Sequence, residues 1–497
     1  MRKSNIGSGQ LEYDLKEDDI LYFLHIQKTA GTTLMNILDS YFDLDTIYSE
    51  QFWRKLLPNI PNDFAKYKLV RGHFGYGLHR ILPKKPVYIT MLRDPIERTI
   101  SDYEHIRREN INTKEHVPKN ETILDVLKNP RTRWTYVNPQ TAYIEPDLDI
   151  VSLTKSWNPE RVARFEIRSA LWRAIKTTPE NKLLENAKKH LSEFAFVGIV
   201  ERFEESLFLL YYTFGWKPMA ATWKLNVAPK HNKGHQLTEE ALKEIIDCTR
   251  LDAELYKFAQ EIFEQRYEKM VEELREKYYE PSFANLSFRE MMYKLLEKHF
   301  QQRSSKLKPK QLTSIDYDFR SKLSGTGWYW REIFEESGEA FRWTGPDTIS
   351  TIEFPLSNEE DLIVQFRVIR TIIPSLLDNL KLRVNNQTID IKVLYQKGEK
   401  TVFEGFIPKT ALQGDNGIVN LSFEVEKTIN PHEVNPLDPT DRPLGIALDR
   451  IRIIPAKVYN RRTDKIDIHN TPFFSKNNIA WKARLATIRV GNELKKR

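Results

Sequence analysis

Ten consecutive residues, His25-Ile26-Gln27-Lys28-Thr29-Ala30-Gly31-Thr32-Thr33-Leu34, restrict the folds open to this chain more than any other segment. An apolar run, Ile20–Ile26, leads into them, and Leu34, Ile37, Leu38, Tyr41 and Phe42 follow at helical spacing. A strand, a turn of small residues and a helix start turn free main-chain N–H groups and the positive end of the helix dipole toward one point. Lys28 adds a mobile charge there, and Thr29, Thr32 and Thr33 add hydroxyl donors, so the segment reads as a phosphate cradle. It departs from the common nucleoside-triphosphate loop, Gly-x-x-x-x-Gly-Lys-Ser/Thr, because its lysine precedes its only glycine.

The surrounding sequence fits an α/β domain over residues 20–300, a parallel sheet flanked by helices, with short apolar runs alternating with helical patterns. The spacing predicts strands at Ile20–Ile26, Lys68–Gly72, Val87–Leu92 and Phe194–Val200. It predicts helices at Thr32–Phe42, Pro95–Glu109, Pro159–Lys176, Leu183–Ser192 and Phe203–Phe214. A long charged helix, Glu239–Tyr279, is expected after an N-cap at Thr238. Residues 1–19 read as an N-terminal extension. Residues 301–313 are basic without apolar periodicity and read as a linker. Beyond it, Thr348–Phe354, Leu362–Ile369, Leu380–Val384, Ile389–Leu394, Ile418–Val425 and Ile446–Ile453 are short β-rich runs between turns such as Asn385-Asn386 and Gly414–Gly417. That pattern predicts an all-β sandwich domain over 314–456, followed by a basic tail, 457–497.

Composition narrows the function. At 497 residues, two or three domains are expected, and 40% hydrophobic with 29% charged residues describes a globular protein. The longest apolar stretch, Leu207–Trp216, is far too short to span a membrane, and residues 1–19 are polar rather than signal-like. The single cysteine, Cys248, allows no intramolecular disulfide, so a cytoplasmic enzyme is expected. Of the net charge of +7, residues 456–497 carry +8 and the body of the chain about −1. A nucleic-acid binder needs a basic face on its folded part, so nucleic acid is not expected as a partner. The tail is either a solvated extension or a peripheral contact with an acidic polymer or membrane surface.

Two further segments carry chemistry. In Val87-Tyr-Ile-Thr-Met-Leu-Arg93-Asp94-Pro95-Ile-Glu97-Arg98-Thr-Ile-Ser101, Asp94 and Pro95 form a cap and first-turn pair. Arg93 then lies at a strand end and Ser101 two turns into a helix, a guanidinium fork and a hydroxyl suited to a second phosphate. Between the two anion segments lies Arg71-Gly72-His73-Phe74, which puts His73 at another strand end, placed for general-base work. His79 is a rival for that role, and His25 is expected to pack against or orient the turn.

Taken in order, HIQKTAGTTL, RGHFGYGLH and VYITMLRDPIERTISDY resemble the carbohydrate sulfotransferases that use 3′-phosphoadenosine-5′-phosphosulfate (PAPS), especially the heparan sulfate 2-O and 6-O group. Asn138-Pro139-Gln140-Thr141 resembles that group's Asn-x-Gln-Thr segment, and Phe196–Leu207 its late strand–helix unit. The resemblance covers residues 20–270 and implies a sulfotransferase fold with a P-loop-like sheet. It implies that Lys28, Thr29, Gly31, Thr32 and Thr33 hold the 5′-phosphosulfate and that Arg93 and Ser101 hold the 3′-phosphate. It further implies that His73 is the base and that Lys28 neutralises the departing oxygen, with no metal required. The acceptor implied is a hydroxyl, of a glycan above all.

Asn138, Gln140 and Thr141 are open between acceptor and nucleotide contact. Lys230 and Lys233 are open between the nucleotide and a solvated loop. His231 and His235 lack the partner set of a metal site. Trp328, Tyr329, Trp330, Phe341 and Trp343 fit either a β-domain core or sugar stacking. Ala30 stands where the 6-O group has glycine, and no membrane anchor or disulfide framework accompanies the motifs; both differences point to a bacterial cytoplasmic relative with an accessory β-domain. Two other readings are an ATP-dependent small-molecule or sugar kinase and a non-catalytic glycan-binding protein. The oligomeric state is open.

Overall fold

The computed structural model describes residues 11–61, 63–109, 121–150, 176–219, 237–305, 309–334, 337–414, 417–438, 440–460 and Ile466. They fall into two compact units. The first takes in residues up to Met35, Tyr48–Pro218 and 223–300; the second takes in Asn36–Ile47, Met219 and the chain from Gln301 on.

In the first unit, β1 (Leu21–Leu24), β2 (Leu69–Gly72), β3 (Val87–Leu92) and β4 (Phe196–Ile199) form a parallel sheet in the order β2-β1-β3-β4. Every residue of the four strands is buried, as expected of parallel strands covered on both faces. Leu24 pairs with Gly72 on one side and Thr90 on the other, and Leu92 pairs with Ile199, so the carboxyl ends lie along one edge. After β1 the chain adds β2 on one side and then β3 on the other. The resulting switch point between β1 and β3 is where sheets of this kind bind ligands.

Among the helices of this unit are α1 (Gly31–Leu38), α2 (Pro95–Glu109), α3 (Pro139–Ile144), α4 (Glu180–Glu193), α5 (Phe203–Phe214), α6 (Glu239–Cys248), α7 (Arg250–Tyr278) and α8 (Phe288–Ser305). The Asp94 carboxylate accepts from the N–H groups of Ile96 and Glu97, both at 3.0 Å, and starts α2 where Asp-Pro predicts. The Thr238 hydroxyl caps α6 by accepting from Ala241 N–H at 3.1 Å. The predicted helix Glu239–Tyr279 is in fact two, broken at Thr249, because a distant residue caps a fresh N-terminus there. α8 continues through Gln301 to Ser305, into the span that the sequence reads as a linker. Most of the predicted helix Pro159–Lys176 lies outside the described residues. Among the described residues no helix is long and apolar enough to cross a membrane.

The second unit is antiparallel. Its strands are β5 (Ile315–Asp318), β6 (Glu332–Ile333), β7 (Ala340–Trp343), β8 (Ile349–Phe354), β9 (Leu362–Thr371), β10 (Lys381–Val384), β11 (Gln387–Ile389), β12 (Ile391–Lys397), β13 (Lys400–Ile407), β14 (Val419–Glu424) and β15 (Ile446–Pro455). One sheet runs β11-β10-β14-β8 and the other β12-β13-β9-β15-β7-β6, with β5 also on β15. Phe366 and Val368 of β9, Leu382 and Val384 of β10, Phe423 of β14 and Ile451 of β15 share one core. The run predicted as one strand, Ile389–Leu394, divides at Asp390, because β11 pairs with β10 while β12 pairs with β13 of the other sheet. Asn385 and Asn386 have φ of 45° and 69°, and close the two-residue hairpin that the Asn-Asn pair predicts.

The aromatic cluster belongs to the packing of this unit. Trp328, Tyr329, Phe341 and Trp343 are buried, and the Arg442 guanidinium lies 4.1 Å from the centre of the Trp330 ring. Buried Arg367 is saturated: Nε and Nη2 donate to the two Asp449 oxygens at 2.9 and 2.6 Å, and Nη2 reaches Glu339 at 2.9 Å.

Candidate active site at the carboxyl edge of the parallel sheet

The loop between β1 and α1 takes its shape from two residues held in the left-handed region, Lys28 at φ 67° and Ala30 at φ 57°. Alternating left-handed and ordinary residues of this kind make a concavity of successive N–H groups, a nest for an anion. The buried Thr29 hydroxyl donates to Ile26 C=O at 2.9 Å and ties the turn closed. Thr33 is also buried, whereas Thr32 is exposed at the mouth. Gly31 is required by space: a Cβ there would sit 1.8 Å from His25 Nε2. His25 thus lies under the loop, the packing role expected of it.

His25 also organises its neighbour. Its main-chain N–H donates to Gly72 C=O at 3.1 Å, and its C=O accepts from His73 Nδ1 at 2.7 Å. A carbonyl cannot donate, so Nδ1 carries a proton and is the donor. The two imidazoles lie 4.2 Å apart between centroids, and the Phe52 ring lies 5.0 Å from that of His73. His73 N–H is fixed by Gln51 C=O at 2.7 Å. Burial, and then the charges of His73, Arg71 and Lys28, hold the His25 pKa well below the usual imidazole value, so His25 is neutral. His79 is spent elsewhere: Nδ1 faces Tyr76 C=O at 3.0 Å and Nε2 faces Asp147 at 3.3 Å.

Arg93 follows β3 directly, across the switch point from Lys28. Its Nη1 reaches Lys28 C=O at 3.4 Å, while Glu97 and Glu201 stand at 3.6 and 4.0 Å. Ser101 is half-buried two turns into α2. Asn138, Gln140 and Thr141, open between two ligand roles in the sequence, are buried and bonded to protein instead. The Gln140 side chain accepts from Arg93 N–H at 3.0 Å and donates to Arg93 C=O at 2.8 Å. Asn138, left-handed at φ 44°, offers Oδ1 to Leu251 and Asp252 N–H at 2.9 and 3.3 Å, and so starts α7 and breaks the predicted long helix.

Two residues that motif reading passed over lie beneath this arrangement. Arg98 is buried, reaches Gln27 C=O at 3.4 Å and pairs with Asp102 at 3.7 Å. Asp252 is fully buried on the N–H groups of Gln140 and Thr141 at 3.0 and 2.8 Å. Burial pushes its carboxyl pKa up, and those N–H bonds with the nearby Arg98 charge pull it back. Arg98 stands one turn after Asp94, a spacing that could have flagged it; Asp252 has no local signal beyond its place in the first turn of a helix.

Some of the buried polar atoms that lack hydrogen-bond partners lie here, with others elsewhere, among them nitrogens of Arg331 and Arg342 in the second unit. Those at this strand-end edge are His25 Nδ1, Arg93 Nε, and Arg98 Nε and Nη2. Buried polar groups are satisfied almost everywhere in folded proteins, so the unspent guanidinium nitrogens of Arg93 and Arg98 are a feature of this edge that calls for a partner. Lys230, His231, Lys233 and His235 lie outside the described residues. Among the described residues no group of three His, Cys, Asp or Glu side chains is arranged to hold a metal ion.

Residues 11–269 match the model of the sulfotransferase family. Heparan-sulfate 6-O-sulfotransferase 1 of Cricetulus griseus is 28% identical over 290 residues, spanning 52% of this chain and 70% of that protein. Heparan-sulfate 6-O-sulfotransferase 3 of Homo sapiens is 27% identical over 292 residues, 52% and 60% of the two chains. The Danio rerio enzyme 1-B is 26% identical over 290 residues, 52% and 69%. The cradle, the histidine and the strand-end arginine all fall within the matched segment, which is just over half of the chain, and the chain belongs to the sulfotransferase family.

Proposed function

We propose that this protein transfers a sulfuryl group from PAPS to a hydroxyl of a carbohydrate acceptor. The observation that carries the reading is the set of buried guanidinium nitrogens without hydrogen-bond partners, on Arg93 and Arg98, at the β1/β3 switch point, beside a histidine whose Nδ1 is held by a main-chain carbonyl. A nucleotide with phosphates at both ends fits such a donor set, which has one anion cradle on each side of the switch point. When bound, PAPS supplies the activated sulfuryl group.

The residues divide the work. Lys28 and the main-chain N–H groups of the Thr29–Thr33 turn hold the 5′-phosphosulfate. Gly31 lets the turn lie close over His25, Thr32 and Thr33 add hydroxyls, and Thr29 contributes only main chain because its hydroxyl is committed to Ile26. Arg93 and Ser101 hold the 3′-phosphate. His73 Nε2 takes the acceptor proton as the acceptor oxygen attacks sulfur, and Lys28 Nζ donates to the oxygen that leaves with the nucleotide. These fixed charges take the part that metal ions play in many phosphoryl transfers. We read the second unit as a β-sandwich accessory domain of a cytoplasmic enzyme.

The test is transfer of ³⁵S-sulfate from PAPS to a panel of glycans. Lys28→Ala is expected to cost ~10²-fold or more in turnover. His73→Ala should cost ~10²–10⁴-fold. Wild-type turnover by either variant overturns its assignment. A kinase, the second reading, would bind ATP more tightly than adenosine 3′,5′-bisphosphate and lose that binding in EDTA.

A further inference from the structure

We infer that Gln140, Asp252 and Asn138 form a positioning device for Arg93 and set the selectivity of the site for a 3′-phosphorylated nucleotide. The inference rests on the reading above. It concerns residues that touch no ligand group themselves and act through the main chain of the arginine.

Sheet pairing of β3 ends at Leu92, which faces Ile199 of β4. Arg93 therefore stands one residue beyond the ladder, at a bend into α2, with main-chain N–H and C=O that need partners. Both are met by the single carboxamide of Gln140, accepting at 3.0 Å and donating at 2.8 Å. That carboxamide is fully buried, so no water competes for either bond. The guanidinium is held far more loosely, its nearest carboxylates 3.6 and 4.0 Å away and its Nε without a hydrogen bond. Arg93 thus has a fixed root and a head still able to donate. That combination suits anion recognition, in which a displaced root misaims the fork.

Gln140 is fixed in turn by a reciprocal cap. Asp252, in the first turn of α7, accepts from the N–H groups of Gln140 and Thr141 and from the Thr141 hydroxyl, the last at 2.8 Å. Asn138, which precedes α3, accepts from the first N–H groups of α7. Each of the two helices caps the other, and the strained left-handed Asn138 is held by that exchange. The buried Asp252 charge also faces Arg98 and sits opposite two helix N-termini, which stabilises it where it is.

The experiment compares the affinities of the full chain for adenosine 3′,5′-bisphosphate and adenosine 5′-monophosphate by calorimetry. Wild type and Gln140→Met, which keeps the volume and removes both bonds, are measured alongside thermal unfolding. The expected result is a loss of about tenfold or more in preference for the bisphosphate, with affinity for the monophosphate changed far less. A general loss of structure would lower both affinities together. If Gln140→Met does not fold, Thr141→Val, which deletes only the hydroxyl bond to Asp252, carries the same test with a smaller drop in preference. A folded Gln140→Met that keeps the wild-type preference, or a folded Thr141→Val that keeps it where Gln140→Met does not fold, overturns the inference. Absence of any bisphosphate preference in wild type overturns the proposed function instead.

Discussion

Two buried arginines, one in each unit, are held in opposite ways. Arg367 sits among the antiparallel strands with a bidentate bond to Asp449 and a further bond to Glu339, so its charge is consumed by the fold. Arg98 reaches the loop between β1 and α1, with a longer contact to Asp102 and two nitrogens that have no hydrogen-bond partner. Burial alone does not separate a structural charge from a functional one, since both residues are almost wholly enclosed. The degree of saturation helps only together with position: Arg367 spends its donors within the fold, as does a structural ion pair, whereas Arg98 keeps two unspent at the strand-end edge of the parallel sheet.

Substitutions can break this contrast, and the largest effect belongs to the saturated residue. Arg367→Met should destabilise the protein by about 3–5 kcal/mol, because Asp449 and Glu339 would be left as uncompensated charges. Denaturant unfolding measures the cost, and affinity for adenosine 3′,5′-bisphosphate should not move. Arg98→Met should do the reverse, with affinity falling about tenfold, the scale of one charge-assisted bond, and a smaller stability loss. Equal stability costs with unchanged affinity in Arg98→Met would erase the distinction.

The smallest effect is a pH slope. His25 is neutral in the folded chain and its folded pKa lies below the unfolded value of 6.5, so the unfolded state binds the extra proton. Stability from this group is therefore full above pH 6.5 and is lost as pH falls toward the depressed folded pKa, by up to about 1.4 kcal/mol per pH unit. His25→Phe should flatten that part of the unfolding curve and still leave His73 Nδ1 its main-chain acceptor. An unchanged slope would mean that another group supplies it.

Features with local chemistry were legible in the sequence. β3, α2 and α5 occupy the predicted spans Val87–Leu92, Pro95–Glu109 and Phe203–Phe214, since Asp94-Pro95 and Gly215 mark ends without outside help. The three strand-end residues Lys28, His73 and Arg93 follow from strand–turn–helix order, and the sheet brings their strands side by side. What escaped depends on partners far along the chain. The break at Thr249 is made by Asn138, and the main-chain N–H groups of Gln140 and Thr141 are taken up by Asp252. A helix pattern such as Glu239–Tyr279 contains no trace of a cap more than a hundred residues away. The donor role of His73 Nδ1 escaped likewise, because its determinant is a main-chain carbonyl on a neighbouring strand end.

The exchange of caps between α3 and α7 also has a consequence in time. The bond from Gln140 to Asp252 spans 112 residues, so it closes only after the chain has grown well past the sheet. A ribosome-bound chain that has emerged as far as β4 already holds the lysine loop and the histidine, but the root of Arg93 lacks the support that reaches it through α7. Loop closure over such a distance comes late in folding. On the reading proposed above, the arginine half of the anion site is thus completed after the lysine half.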